Sequence, residues 1–245
     1  MKIAEIIIED AVETDNTNNP VVIRMKENLH ELAVYAIRHC QPYLAAVGGL
    51  ENALFNIPLY RGFRREDLST LNVAHQEPFI TINIRKDRIP IDTPKDISTT
   101  IDNWFEKNTG IRFREQSLFC SGRLSLASCY GEVVVIVPLA NFDCCWSGKF
   151  EDMYVGMSEY ADAESGHNIE DYHLMTSKEK LRAIFSDSNN VTYFMENADY
   201  QFNAGLLEGI ESGHEIMIVG NRAIAINYDW LKEVKYHYDN EGWTL

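Results

Sequence analysis

The chain has 245 residues, of which 45% are hydrophobic and 24% are charged. This composition is typical of a folded globular protein, and the length suits one large domain. The net charge of −15 at pH 7 argues against general nucleic-acid binding and against docking on an anionic membrane, because both need clustered lysine and arginine. A basic protein partner suits this charge better, although the charge also serves solubility alone.

Five cysteines are present, at positions 40, 120, 129, 144 and 145. An odd number in a chain of this length is not typical of a small disulfide scaffold, and neither the cysteines nor the histidines have the spacing of a zinc site. We therefore expect reduced thiols and no metal. Neither a signal peptide nor an apolar stretch of about 18 residues is visible, so the sequence predicts a soluble, cytoplasmic protein.

The N-terminal segment, residues 1–57, is predicted to be mostly helical. An isoleucine-rich run near the start indicates an edge strand or an arm, and a polar loop follows it up to Pro20. Apolar residues then recur at helical spacing over 21–37, until Pro42 interrupts the pattern. Gly48-Gly49 indicates a turn, and a further short helical piece is expected before residue 58.

The next segment, residues 58–145, carries the clearest signals. Asp92 or Thr93 is predicted to cap a helix over 95–107, with Pro94 in its first turn and Gly110 at its end. A short helix is expected at 124–130. Alternating apolar residues predict short strands at 59–63, 79–84, 117–120 and 133–138.

The segment from residue 146 to 200 differs in character. It holds seven acidic residues but no lysine or arginine between Lys149 and Lys178. We expect an acidic insertion, partly helical or loop, laid over the core with a solvated outer face.

The last part of the chain returns to core patterns. Residues 202–210 can be helical, and Glu215 opens an apolar strand that runs to Val219. A second strand over 223–228 is predicted to pair with it through a hairpin turn at Gly220-Asn221.

Many short strands with few helices, without regular strand–helix alternation, predict an α+β fold. We interpret the chain as a single domain, 1–245. It would consist of the N-terminal helical segment (1–57), a core made of 58–145 and 201–228, and the acidic insertion (146–200).

Three separated segments carry residues suited to one site. Arg61 at a strand end could grip a phosphate, with Gly62 leaving room for a ligand, although such an arginine equally forms surface salt bridges. Tyr130 could stack on a flat ring, although an isolated tyrosine is more often a core residue. Glu215, at the mouth of a strand, could stabilise positive charge developing on a sugar, or it could simply face solvent.

In this order, the segments resemble the ADP-ribosyltransferase superfamily and, within it, the arginine–serine–glutamate class. The pattern is most similar to uncharacterised tailed-phage members. These share a Tyr-Arg-Gly strand, an Arg-Lys-x-Arg-x-Pro-x-Asp-Thr-Pro stretch, a Phe-x-x-Gly strand with Ala-x-x-Tyr-Gly, and Gly-x-Glu-Ile. The second element stands here at residues 85–94, and the resemblance covers roughly 35–150 and 200–228.

The resemblance implies a split mixed β-sheet core that uses NAD as a substrate, without a metal. Arg61 would hold the phosphates and ribose of NAD beside Gly62. Ser121, or less closely Ser117, would support the catalytic glutamate. Tyr130 would stack near nicotinamide. Glu215 would bond the nicotinamide ribose and favour cleavage of the C–N bond. Arg85 and Arg88 could bind the pyrophosphate or pair with acidic residues.

Two positions depart from the family pattern. Cys120-Ser121-Gly122 stands where members often have Ser-Thr-Ser, so the identity of the supporting serine stays open. Gly213 stands two residues before Glu215, where arginine-modifying members have glutamate and others often have glutamine. The acceptor residue is therefore not indicated.

The function expected from this resemblance is mono-ADP-ribosylation of a macromolecule, foremost a host protein, with release of nicotinamide. The protein would act in the host cytoplasm or be carried in the virion. An RNA or DNA acceptor fits the net charge of −15 poorly. Two alternatives stay open. Water could be the acceptor, which would make the protein an NAD glycohydrolase. The chain could also be a non-catalytic phage structural protein or an acidic inhibitor that contacts its partner through residues 150–171.

Overall fold

The computed structural model describes residues 19–64, 77–88, 92–165 and 171–245. The isoleucine-rich run predicted as an edge strand or arm lies outside these ranges. None of the helices in the described ranges has the length and apolarity needed to span a membrane.

The described elements form an α+β fold, as predicted from their pattern. The strands are β1 Tyr60–Phe63, β2 Phe79–Asn83, β3 Ser117–Ser121, β4 Glu132–Pro138, β5 Asp143–Ser147, β6 Tyr200–Phe202, β7 Glu215–Val219 and β8 Arg222–Asn227. The α-helices are α1 Pro20–His39, α2 Gln41–Val47, α3 Lys95–Thr109, α4 Phe113–Gln116, α5 Leu124–Ser128, α6 Met153–Ser165, α7 Ser177–Phe185, α8 Ser188–Asn197, α9 Leu206–Ser212 and α10 Tyr228–Glu241. A π-helical turn at Asn52–Asn56 and a 3-10 turn at Tyr172–Leu174 complete the list.

The strands form one eight-stranded sheet in the order β2-β8-β4-β1-β3-β7-β5-β6. Every strand pairing in the described part of the chain is antiparallel, so the prediction of a mixed sheet is wrong. In the centre of the sheet, β1 meets β3 through the single residue pair Tyr60 and Ser121. The sheet therefore consists of two well-paired halves with a narrow junction between them.

The predicted hairpin between β7 and β8 is also wrong. β7 pairs with β3 and β5, whereas β8 pairs with β2 and β4. Both strands are largely buried, and a buried strand needs neighbours on both sides to satisfy its backbone groups. Here those neighbours come from distant parts of the chain, so a two-residue link was not enough to make the strands partners.

The link between β7 and β8 nevertheless constrains the shape of the sheet. Two residues separate Val219 from Arg222, and such a link spans at most about 11 Å. In a flat sheet, the four strand spacings from β8 to β7 would amount to about 19 Å. The sheet must therefore bend strongly between its halves, across the narrow junction of β1 and β3.

Two hydrophobic cores fill the molecule. The first packs α1, α2 and α10 against the sheet and includes Leu32, Ile136 and Trp230. The second joins α3 to the helices of the acidic insertion through residues such as Phe105 and Phe194. The insertion thus contributes to a second core that it shares with α3, as well as presenting an acidic outer face. The strands that flank it, β5 and β6, were not predicted from the sequence.

The start of α3 differs from the prediction. Neither Asp92 nor Thr93 caps the helix; Pro94 occupies the cap position without a side-chain bond. Thr93 is buried, and its hydroxyl accepts a hydrogen bond from Arg114 instead. The predicted end is confirmed, because α3 stops at Gly110 in the left-handed conformation, with φ of 79°. Over 202–210 the predicted helix is confirmed only from Leu206 onward.

Candidate active site

A cavity that opens to solvent lies beside the junction of β1 and β3. One wall consists of β1, β3 and the start of β7. The rest of the lining includes residues of α5, of α4 and of the first turn of α6.

The structure brings most of the sequence-predicted residues together in this cavity. Its lining includes Arg61, Gly62, Arg88, Ser121, Tyr130 and Glu215. Arg85 lies outside the lining: its side chain is 73% exposed and pairs with Asp87 at 3.1 Å. Ser117 also lies elsewhere, buried at the far end of β3 opposite Val219. Of the two candidate serines, only Ser121 is at the site.

The antiparallel register of β3 and β7 sets Ser121 directly opposite Glu215. The Ser121 hydroxyl donates to the Gly213 carbonyl at 2.7 Å and accepts from the Arg123 backbone N–H at 3.0 Å. Both partners are backbone groups. Ser121 therefore holds the turn that leads into Glu215, rather than bonding the carboxylate itself.

Gly62 has a packing role that differs from the one inferred from the sequence. A Cβ at this position would lie 2.1 Å from the Ala127 carbonyl oxygen and 2.9 Å from Tyr130 Cβ. The space beside Gly62 is therefore occupied by α5 and is not left open for a ligand. This close approach places Tyr130 over β1 at the cavity mouth, where its side chain is half exposed.

Three arginines converge on Phe119 inside the cavity. The guanidinium of Arg88 lies 3.6 Å from the ring centre, and that of Arg114 lies 4.9 Å from it. Arg61 donates from Nη1 to the Phe119 carbonyl oxygen at 2.8 Å. Each arginine also keeps a buried N–H that finds no acceptor among the described residues: Arg61 Nε, Arg88 Nη1 and Arg114 Nε.

These arginines repel one another electrostatically. The pKa of Arg88 is lowered to about 9, mainly by burial and also by the charges of Arg61 and Arg114, against the opposing effect of Glu215. Crowded positive charge in the cavity lining is relieved by an anion with several acceptor oxygens. The cavity is therefore suited to a phosphate or diphosphate group.

Glu215 is the carboxylate at the centre of this arrangement. Its side chain is 16% exposed, and its Oε1 lies 3.4 Å from Arg114 Nη1. Burial raises the pKa of Glu215 to about 7, and the charge of Asp152 raises it too, while Arg114, Arg88 and Arg61 lower it. The carboxyl group is therefore poised to change charge near neutral pH.

Sequence reasoning missed two residues of this site, Arg114 and Asp152. Asp152 lines the cavity and caps α6, since its Oδ1 accepts from the N–H groups of Tyr154 at 2.7 Å and Val155 at 3.2 Å. An aspartate just before a helix is a recognisable capping signal, so Asp152 could have been noticed. Arg114 carries no such signal, because only the packing of α4 brings it to Glu215.

The described residues contain no group of three or more histidine, cysteine, aspartate or glutamate side chains that could hold a metal ion.

Comparisons with protein-family models, curated proteins and solved structures found no match to this chain. Its function must therefore be inferred from the chemistry of the cavity.

Proposed function

We propose that this protein is an NAD-dependent mono-ADP-ribosyltransferase. It transfers ADP-ribose to a macromolecular acceptor, foremost a protein in the cytoplasm of a bacterial host, and releases nicotinamide. The observation that carries the proposal is the convergence of Arg61, Ser121, Tyr130 and Glu215, from four separate segments, on one cavity. These are the residues for which the family resemblance implies roles.

The cavity fits the chemical groups of NAD. Arg61, Arg88 and Arg114 line the cavity and suit a diphosphate, since guanidinium groups match phosphate oxygens in charge and geometry. Tyr130 offers a half-exposed ring at the mouth for stacking on a flat heterocycle. The narrow contact of β1 with β3 supports the split core that the resemblance implies, although the sheet is antiparallel.

Bound NAD supplies an ADP-ribosyl group whose leaving group is nicotinamide. The Glu215 carboxylate would bond the adjacent ribose and stabilise the positive charge that develops there as the C–N bond breaks. Ser121 fixes the turn before Glu215 through Gly213. Because only the ionised carboxylate provides this stabilisation, activity should rise as the pH passes the pKa of Glu215, about 7.

One observation favours the glycohydrolase as a second candidate. Gly213 occupies the position that often indicates the acceptor, and a Cβ there would lie 3.1 Å from Arg123 Nε. Arg123 itself pairs with Glu151. A side chain at position 213 would therefore meet Arg123, and the position provides no group to orient a macromolecular acceptor. Water could then take its place.

The test is incubation of the purified protein with NAD labelled in its adenylate part, together with a bacterial lysate. E215Q is the inactive variant, and E211Q is the matched control, because Glu211 is an exposed glutamate of α9 outside the cavity lining. Label on discrete protein bands with wild type and E211Q, but not with E215Q, supports the transferase. Release of nicotinamide without labelled bands supports the glycohydrolase. No turnover by wild type contradicts both and favours the binding protein.

A further inference from the structure

Arg114 is held in place from outside the cavity. Its backbone N–H donates to Asp102 Oδ1 at 2.8 Å, and its Nη2 donates to Thr93 Oγ1 at 3.3 Å. The guanidinium also packs against the Phe119 ring. Only 5% of the side chain is exposed. These contacts fix the guanidinium before any ligand enters.

The free end of this guanidinium faces the proposed catalytic carboxylate. Arg114 Nη1 lies 3.4 Å from Glu215 Oε1, which makes Arg114 the arginine whose contact with Glu215 is short enough to be an ion pair. In a buried environment, a neighbouring cation favours the ionised form of a carboxyl group. The charges of Arg61 and Arg88 also lower the pKa of Glu215, but less than that of Arg114 does.

We propose that Arg114 is a positioning residue that keeps the Glu215 carboxylate ionised and directed into the cavity. Its role in catalysis rests on the proposed function, whereas its electrostatic coupling to Glu215 does not. Thr93 takes part by orienting the guanidinium, which explains why this threonine is buried beside α3 without capping it. Removing the charge of Arg114 should leave a carboxyl group that ionises only at higher pH.

Glu215 also interacts electrostatically with titratable groups from the elements around it. They are Arg61 on β1, Arg88, Cys120 on β3, Tyr130 after α5, Cys145 on β5, Asp152 before α6 and Tyr200 on β6. Burial raises the pKa of the Cys120 thiol to about 12 and raises that of the Cys145 thiol well above its usual value. These thiols stay neutral near pH 7, so the charged neighbours there are the arginines and Asp152.

The test is a direct titration of Glu215 without NAD. Protein labelled with 13C at the glutamate carboxyl carbon is followed by NMR from pH 5 to pH 9, and the Glu215 signal is the one missing in E215Q. R114Q should raise its midpoint by about one pH unit or more. R114K, which keeps the charge, should raise it less. R112Q is the matched control, because Arg112 bonds Glu115, Asn103 and Glu106 outside the cavity lining.

The kinetic readout is the pH dependence of nicotinamide release. R114Q should lose kcat at pH 7 and recover much of it near pH 9, which a purely structural defect would not produce. An unchanged midpoint in folded R114Q overturns the proposal. If R114Q does not fold, the T93V variant is the test. It keeps the charge of Arg114 but removes the hydrogen bond from its guanidinium to Thr93. A Glu215 midpoint equal to that of wild type in T93V also overturns the proposal. A raised midpoint in R114Q alongside a wild type that does not cleave NAD contradicts only the proposed function.

Discussion

The two walls of the cavity differ in how the chain places their functional groups. The strand wall carries Arg61, Ser121 and Glu215 on β1, β3 and β7, each at or next to a strand end. The helical wall carries Arg114 on α4 and Asp152 at the start of α6. Among the charged neighbours of Glu215, Arg114 and Asp152 of the helical wall have the largest effects on its ionisation, and Arg61 of the strand wall has a smaller one. The main electrostatic control of Glu215 thus comes from a different part of the fold than Glu215 itself.

The largest effect on activity should come from neutralising Glu215, the central group of the strand wall. E215Q should reduce the rate of NAD cleavage by about 100-fold or more, the cost of losing a principal electrostatic contact with the transition state. The measurement is nicotinamide release at saturating NAD and pH 8, with E211Q as the control expected to match wild type. An E215Q enzyme within about threefold of wild type would place the chemistry elsewhere.

The same substitution should change how stability depends on pH. The pKa of Glu215 is raised from 4.5 to about 7 in the folded protein. Wild type therefore loses stability, relative to its value below pH 4.5, as the pH rises from 4.5 to about 7, and E215Q does not. The free energy of unfolding of E215Q minus that of wild type should grow by about 2–3 kcal/mol from pH 4.5 to pH 8.

Urea unfolding of both proteins across that pH range measures this difference. The loss of the Arg114 partner in E215Q adds an offset but does not change the slope near pH 7. A difference that stays constant with pH would mean that Glu215 is not perturbed in the fold.

Within the strand wall, Arg61 should act on binding rather than on the chemical step. R61Q should raise the KM for NAD by about 10- to 100-fold, because a charged donor to phosphate is removed. R85Q serves as its counterpart, since Arg85 is exposed and outside the cavity lining. Steady-state kinetics for both variants decide whether Arg85 has the pyrophosphate role that the sequence suggested.

The smallest effect should come from the helical wall. D152N removes a negative charge that raises the pKa of Glu215, so the pH midpoint of activity should fall by up to about one pH unit. Asparagine is also a good helix cap, so α6 should keep its start. The pH–rate profiles of D152N and R114Q should differ in sign, because their midpoints should move in opposite directions, while R61Q should raise the midpoint less than R114Q does.

The sequence was informative where local signals decide the structure. Alternating apolar residues predicted the positions of most strands, and Gly110 predicted the end of α3. The resemblance brought Arg61, Ser121, Tyr130 and Glu215 into one predicted site. Local signals do not determine which strands become neighbours. The hairpin at Gly220-Asn221 failed for that reason, because burial on both sides gave β7 and β8 partners from distant segments.

The same limit applies to the helical wall. Arg114 stands in a four-residue helix whose sequence gives no indication of what it faces. Thr93 looked like a helix cap and became a hydrogen-bond acceptor for Arg114. Both roles depend on how α3, α4 and β7 pack together, which no single segment specifies.

The two-residue link between β7 and β8 has a consequence for ligand entry. Because it ties the halves of the bent sheet together, the cleft cannot widen by flattening the sheet unless this tether yields. Tyr130 and Val155 both line the cavity and are both exposed, so their side chains are open to an approaching ligand. The cavity is thus preorganised: its arginine donors are already gathered, and binding spends little free energy on closing the protein around the ligand.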